Sequence, residues 1–160
     1  MKIRIVFLLL CAMFVQTVFA TEPEDFLAAY AEMAKHADPD FKGFSAERGR
    51  DFYFRKHELD DGSELSCSTC HHADPRKKTV AHIDQIPCRA CHVTLHKGAE
   101  GRSAVKREIA PLAPLVNPNR FTNEWQVEFW FDWNCELLLK RDCTPQEKGD
   151  FITWLMTIEE

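Results

Sequence analysis

Cys67-Ser68-Thr69-Cys70-His71 and Cys88-Arg89-Ala90-Cys91-His92 are the two stretches that decide how this chain is read. In each, two thiols stand one turn of chain apart and a histidine directly follows the second cysteine. That spacing lets the thiols reach the two vinyl groups of a porphyrin while the imidazole points beneath its iron. Two covalently bound haem c groups are therefore expected, one through Cys67 and Cys70 and one through Cys88 and Cys91. His71 and His92 are the expected proximal ligands. The rival is zinc, because four cysteines in two pairs, with 17 residues between Cys70 and Cys88, also fit a zinc ribbon. A zinc ribbon gives no reason for a histidine after each second cysteine.

The start of the chain points the same way. Lys2 and Arg4 precede an uncharged run from Ile5 to Val15, and Val18-Phe19-Ala20 places small residues at −3 and −1. This is a secretory signal peptide cleaved after Ala20, and its apolar run is too short for a comfortable membrane anchor. Export to the periplasm suits c-type haem assembly. The 140 residues that remain suffice for one domain, 21–160, with one core. Loss of Lys2 and Arg4 leaves 18 basic residues against 25 acidic, a net charge of −7. Such a balance disfavours nucleic acid and anionic lipid and suits a basic electron-transfer partner. Of six cysteines left after cleavage, only Cys135 and Cys143 lie outside the two motifs, and they can form one disulfide.

The rest reads as helix. Thr21-Glu22-Pro23-Glu24 opens a helix to about His36, with Phe26, Ala29, Tyr30 and Met33 on one face. Ser45 caps a second through Phe52 and Tyr53, ended by the glycine and charges near Leu59–Ser63. Pro111, Pro114 and Pro118 keep Ile109 to Asn119 extended. A third helix starts at Thr122, with Trp125, Phe129 and Trp133 at i, i+4, i+8. Thr144-Pro145-Gln146-Glu147 caps a last one carrying Phe151, Trp154, Leu155 and Ile158. The aromatic stripes read as core, of which a porphyrin would itself form part. The fold class expected is all-α, without strands.

From Glu47 onward the chain resembles the sphaeroides haem protein family of oxygen-binding class I c-type cytochromes. The resemblance is carried by Glu47-Arg48-Gly49-Arg50 through Phe52, Cys67–His71, Ile109-Ala110-Pro111-Leu112-Ala113-Pro114, and Asn117-Pro118-Asn119-Arg120-Phe121-Thr122. It continues through Asn134-Cys135, Arg141-Asp142-Cys143-Thr144-Pro145-Gln146-Glu147-Lys148 and Trp154-Leu155. It implies a class I cytochrome c-like helical domain wrapped around haem 1. It also implies that Asn134, directly before a cysteine of the Cys135–Cys143 disulfide, is the second axial ligand of that haem, opposite His71. From the residues alone, Asn134 reads first as a helix-end residue, since asparagine is common there. An amide oxygen is a hard, weak donor that suits ferric better than ferrous iron. Reduction would then release Asn134 and admit oxygen, nitric oxide or carbon monoxide.

The family carries one haem; here a second motif sits in an insertion between about Thr79 and Arg107. The distal ligand of haem 2 is sought among His36, His57, His72, His82 and His96, with His82 first and His57 second. His96 lies on the same side of the haem plane as His92, and His72 adjoins a proximal ligand. Two histidines on haem 2 would suit an electron inlet closed to gases. The resemblance suggests another cytochrome c or a membrane b-type cytochrome as donor. No catalytic acid–base group is identifiable, so turnover of oxygen or nitrogen oxides is left open. The alternative functions are a dihaem shuttle with both irons six-coordinate and an exported zinc-binding structural module.

Overall fold

The structure, a computed structural model, describes residues 22–80 and 108–159. Helix α1, Pro23–Ala37, starts where the Glu22 N–H donates to the Asp25 carboxylate at 3.0 Å and a proline fills the first turn. Its inward row is Phe26, Tyr30 and Ala34. Ala29 and Met33, expected on that face, are exposed, because a spacing of four follows the helix turn more closely inward from Phe26 than the sequence face assumed. Helix α2, Ala46–Phe54, is capped by the Ser45 hydroxyl, which accepts from the Arg48 N–H. It ends well before Gly62, whose left-handed φ of 78° instead turns the chain between two short strands.

Strands are present, contrary to expectation, though each is two residues long. His57–Glu58 (β1) pairs antiparallel with Glu64–Leu65 (β2), and Thr79–Val80 (β3) with Glu108–Ile109 (β4). The β3–β4 ladder sets Thr79 opposite Ile109 and Val80 opposite Glu108, so the chain leaves and re-enters the described fold at adjoining points. Between β2 and β3 lies the single-turn helix α3, Cys67–Cys70. Residues after β4 form successive turns rather than an extended run, with the Val116 and Asn117 N–H groups donating back to Ala113 O.

Helices α4, Glu124–Leu139, and α5, Pro145–Met156, complete the order. Asn123 caps α4, and Thr144 with Glu147 forms the capping box of α5. Cys135 and Cys143 are joined as a disulfide across the corner between them, with Cα atoms 5.5 Å apart. The core centres on α5: Phe151, Ile152, Trp154 and Leu155 pack with Phe52 and Tyr53 of α2, Phe26 and Tyr30 of α1, and Phe131 of α4. The crossing of α2 and α5 is close because Gly49 has no side chain; a Cβ there would lie 2.0 Å from the Asp150 carbonyl oxygen. Beside it the buried Asp150 carboxylate accepts from the Ser45 N–H, the Arg48 guanidinium and Gln146.

The aromatic row of α4 departs from expectation. Trp125 is 74% exposed and Phe129 37%, while Val127, Phe131 and Cys135 face the core. Both rows run i, i+4, i+8, so periodicity alone does not choose between them. The disulfide does, because it ties Cys135 to Cys143 and both are buried in the core.

Candidate functional site

Helix α3 gives Cys67, Cys70 and His71 their relation. The Ser66 N–H donates to Thr69 Oγ1 at 3.0 Å, starting a single turn that places both cysteines in it and His71 at its C-cap. A left-handed turn follows at His72, φ 38°. The fully buried Tyr53 of α2 fixes that turn: its hydroxyl donates to the carbonyls of His71 and His72 at 2.6 and 2.7 Å. Burial first, then Cys67, Cys70 and Asp74, raise the Tyr53 pKa, so the phenol remains a donor.

The loop after β4 closes over the same turn. Leu112 and Ala113 N–H groups both donate to the Pro75 carbonyl, at 2.9 and 3.1 Å. Arg120 and Asn117 side chains donate to the Pro111 carbonyl at 2.8 Å each. Burial lowers the Arg120 pKa, and its charge reaches His71. Burial, then Arg120, bring His71 down to about 4, which keeps the imidazole neutral and fit to donate a lone pair to a metal.

Haem fits these residues. His71 Nδ1 is buried with no hydrogen-bond partner among the described residues, a costly state for a polar atom that points to a further group beside the ring. The Cys67 thiol packs against the core, and burial pushes it up to about 11, which suits a covalent thioether better than a solvated thiolate. Among the described residues no group of three or more His, Cys, Asp or Glu side chains is placed to hold a metal ion.

Asn134 lies on α4, immediately before the disulfide. Its amide nitrogen donates to the Trp130 carbonyl one turn back at 2.7 Å, and among the described residues nothing donates to Oδ1, the atom able to bind iron. No hydrogen bond joins it to His71. The histidines considered for a second haem are scattered: His36 is exposed in the last turn of α1. His57 lies on β1 with its pKa lowered by burial, then by Arg55 and Arg141. His72 uses Nδ1 to accept from the Asp74 N–H at 2.9 Å. Cys88, Cys91, His92, His82 and His96 fall outside the described residues. Tyr53, Pro75 and Arg120 were not singled out from sequence for roles here. The only available signal was that a buried tyrosine requires a partner for its hydroxyl.

Known proteins are similar to this chain over most of its length. A protein-family model described as "Domain of unknown function (DUF1924)" matches residues 39–82 and 76–155. Cytochrome c-type protein SHP of Cereibacter sphaeroides is 34% identical over 151 residues, covering 93% of this chain and 95% of that protein. Cytochrome c'' of Methylophilus methylotrophus is 33% identical over 138 residues, 86% of this chain and 81% of its own. Oxidised cytochrome c'' superposes with a TM-score of 0.65 at 32% identity, over 86% of this chain and 95% of the other. Oxidised SHP, described as an oxygen-binding cytochrome c, gives 0.59 at 32% identity, over 86% and 97%.

Proposed function

The chain belongs to the DUF1924 family of c-type cytochromes that includes SHP and cytochrome c'', and from this we propose that it is an exported dihaem cytochrome with one redox-gated ligand site. Its fold is the all-α, class I cytochrome c-like fold of those relatives, which sets the zinc module aside. Haem c, once attached, supplies a one-electron iron couple with axial positions that protein side chains can hold. Cys67 and Cys70 anchor haem 1, and His71 presents a neutral imidazole held by Tyr53 through the backbone.

Asn134 carries the gating. Its amide oxygen is free to serve as the sixth ligand, and a hard neutral oxygen holds ferric iron better than ferrous. Asn134 therefore keeps its place in the oxidised protein and vacates it in the reduced one, making room for oxygen, nitric oxide or carbon monoxide. That SHP is described as an oxygen-binding cytochrome supports this reading over a closed shuttle.

Cys88, Cys91 and His92 attach haem 2, with His82 as distal ligand and His57 next in order. The β3–β4 ladder supports an insertion at about 79–107, since its two ends adjoin. A haem held there would supply a one-electron couple suited to relaying electrons from a donor cytochrome, c-type or membrane b-type, towards the Cys67–His71 site. The protein works in the periplasm after cleavage behind Ala20; among the described residues no helix is long and apolar enough to cross a membrane.

The test is Asn134→His. A histidine nitrogen stays on ferrous iron, so the reduced variant should show no carbon monoxide difference spectrum at haem 1. Ligand uptake equal to that of the parent protein would remove Asn134 from the sixth position.

A further inference from the structure

Helix α4 has a face that neither the core nor the ligand role of Asn134 uses. At about 100° per residue, Trp125, Phe129, Asp132 and Glu136 gather in one sector, turned about 140–180° from Asn134. A cofactor on the Asn134 side would leave this sector open. Trp125 and Phe129 stack there with ring centroids 5.3 Å apart, and both are exposed. Beside them Phe129, Trp133, Asp132, Glu136 and Asp142 line an open cleft. Among the described residues, the two cations between α4 and α5 are engaged elsewhere: Lys140 pairs with Asp60, and Arg141 grips Glu147. Lys148 touches only Asp132, at 3.5 Å, from its buried place beside Glu128.

We propose that this face of α4 docks a lysine-rich redox partner, with the stacked Trp125–Phe129 pair as apolar anchor and the carboxylates at its edge receiving ammonium groups. The proposal rests on the electron-transfer reading above and adds where, and to what surface chemistry, electrons are exchanged. An apolar aromatic centre with a charged rim is the anatomy of a specific interface. Carboxylates beside aromatic rings favour a cation twice, by charge and by the ring face. The whole molecule agrees in sign, with 25 acidic residues against 20 basic in the full chain. In the exchange one electron leaves one haem protein and enters the other, and no bond or proton needs to move.

The haem-loaded protein, reduced, is mixed with an oxidised lysine-rich monohaem cytochrome c in a stopped-flow instrument at several salt concentrations. A neutral quinone serves as the control oxidant. The double variant Glu136→Lys, Asp142→Lys should exchange electrons with the basic cytochrome at least about tenfold more slowly at low salt and lose most of its salt dependence. Its rate with the quinone should stay within about twofold. Trp125→Ser should also slow the exchange while keeping the salt slope. An unchanged rate and slope in the charge variant overturns the proposal. So does loss of the haem spectrum in Trp125→Ser, which would mean that the protein's own cofactor or chain covers the face. A parent dimer that Trp125→Ser makes monomeric would assign the face to a second copy and overturn it equally. If the parent protein exchanges electrons with neither oxidant, the cytochrome reading itself fails.

Discussion

Tyr53 joins α2 to the attachment turn through a single hydroxyl, shared between the His71 and His72 carbonyls. Both bonds lie in a buried setting where unsatisfied carbonyls are costly. Tyr53→Phe should therefore lower the stability of the haem-loaded protein by about 1–3 kcal/mol, read from its denaturant midpoint; an unshifted midpoint would mean the turn is held by the covalent links alone. Cys67, Cys70 and His71 could be singled out in the sequence because covalent haem attachment would demand those residues at that spacing. Tyr53 and Arg120 were not, because they act on backbone carbonyls, and a carbonyl leaves no mark in sequence. Asn134 stands between: its position was legible through a family pattern, and its unpartnered oxygen only through the structure.

At the scale of elements, the crossing of α2 and α5 is the joint on which the site stands, since α2 carries Tyr53. Gly49 permits it, and a methyl group there would meet backbone rather than a flexible side chain. Gly49→Ala should cost about 1–3 kcal/mol or more and destabilise more than Gly149→Ala. At Gly149 the obstacle is the Phe44 ring, a side chain rather than backbone. Thermal unfolding of both variants checks the order. Helix starts were well marked, because Ser45 and the Thr144–Glu147 pair are local signals that use only neighbouring residues. The inward face of α4 was not, because two apolar rows at the same spacing compete and a covalent link to the loop after the helix decides between them. The short strands escaped notice for a similar reason: two-residue ladders depend on what adjoins them in space, not on alternation along the chain.

The whole molecule has the fold of its family, to which we propose that a haem-bearing segment has been added. Its mature form, starting at Thr21, should carry two covalent haems; intact-mass spectrometry should show two haem additions, and Cys88→Ala with Cys91→Ala should remove one of them. A single addition in the parent protein would return the chain to the one-haem pattern of its family. The two haems are expected to differ in use, one passing electrons under two histidines and the other exchanging Asn134 for a diatomic molecule. Carbon monoxide titration of the dithionite-reduced protein, followed by its visible spectrum, tests that division most directly. The account predicts saturation at one carbon monoxide per protein, that is, per two haems; uptake at neither haem, or equally at both, would contradict it.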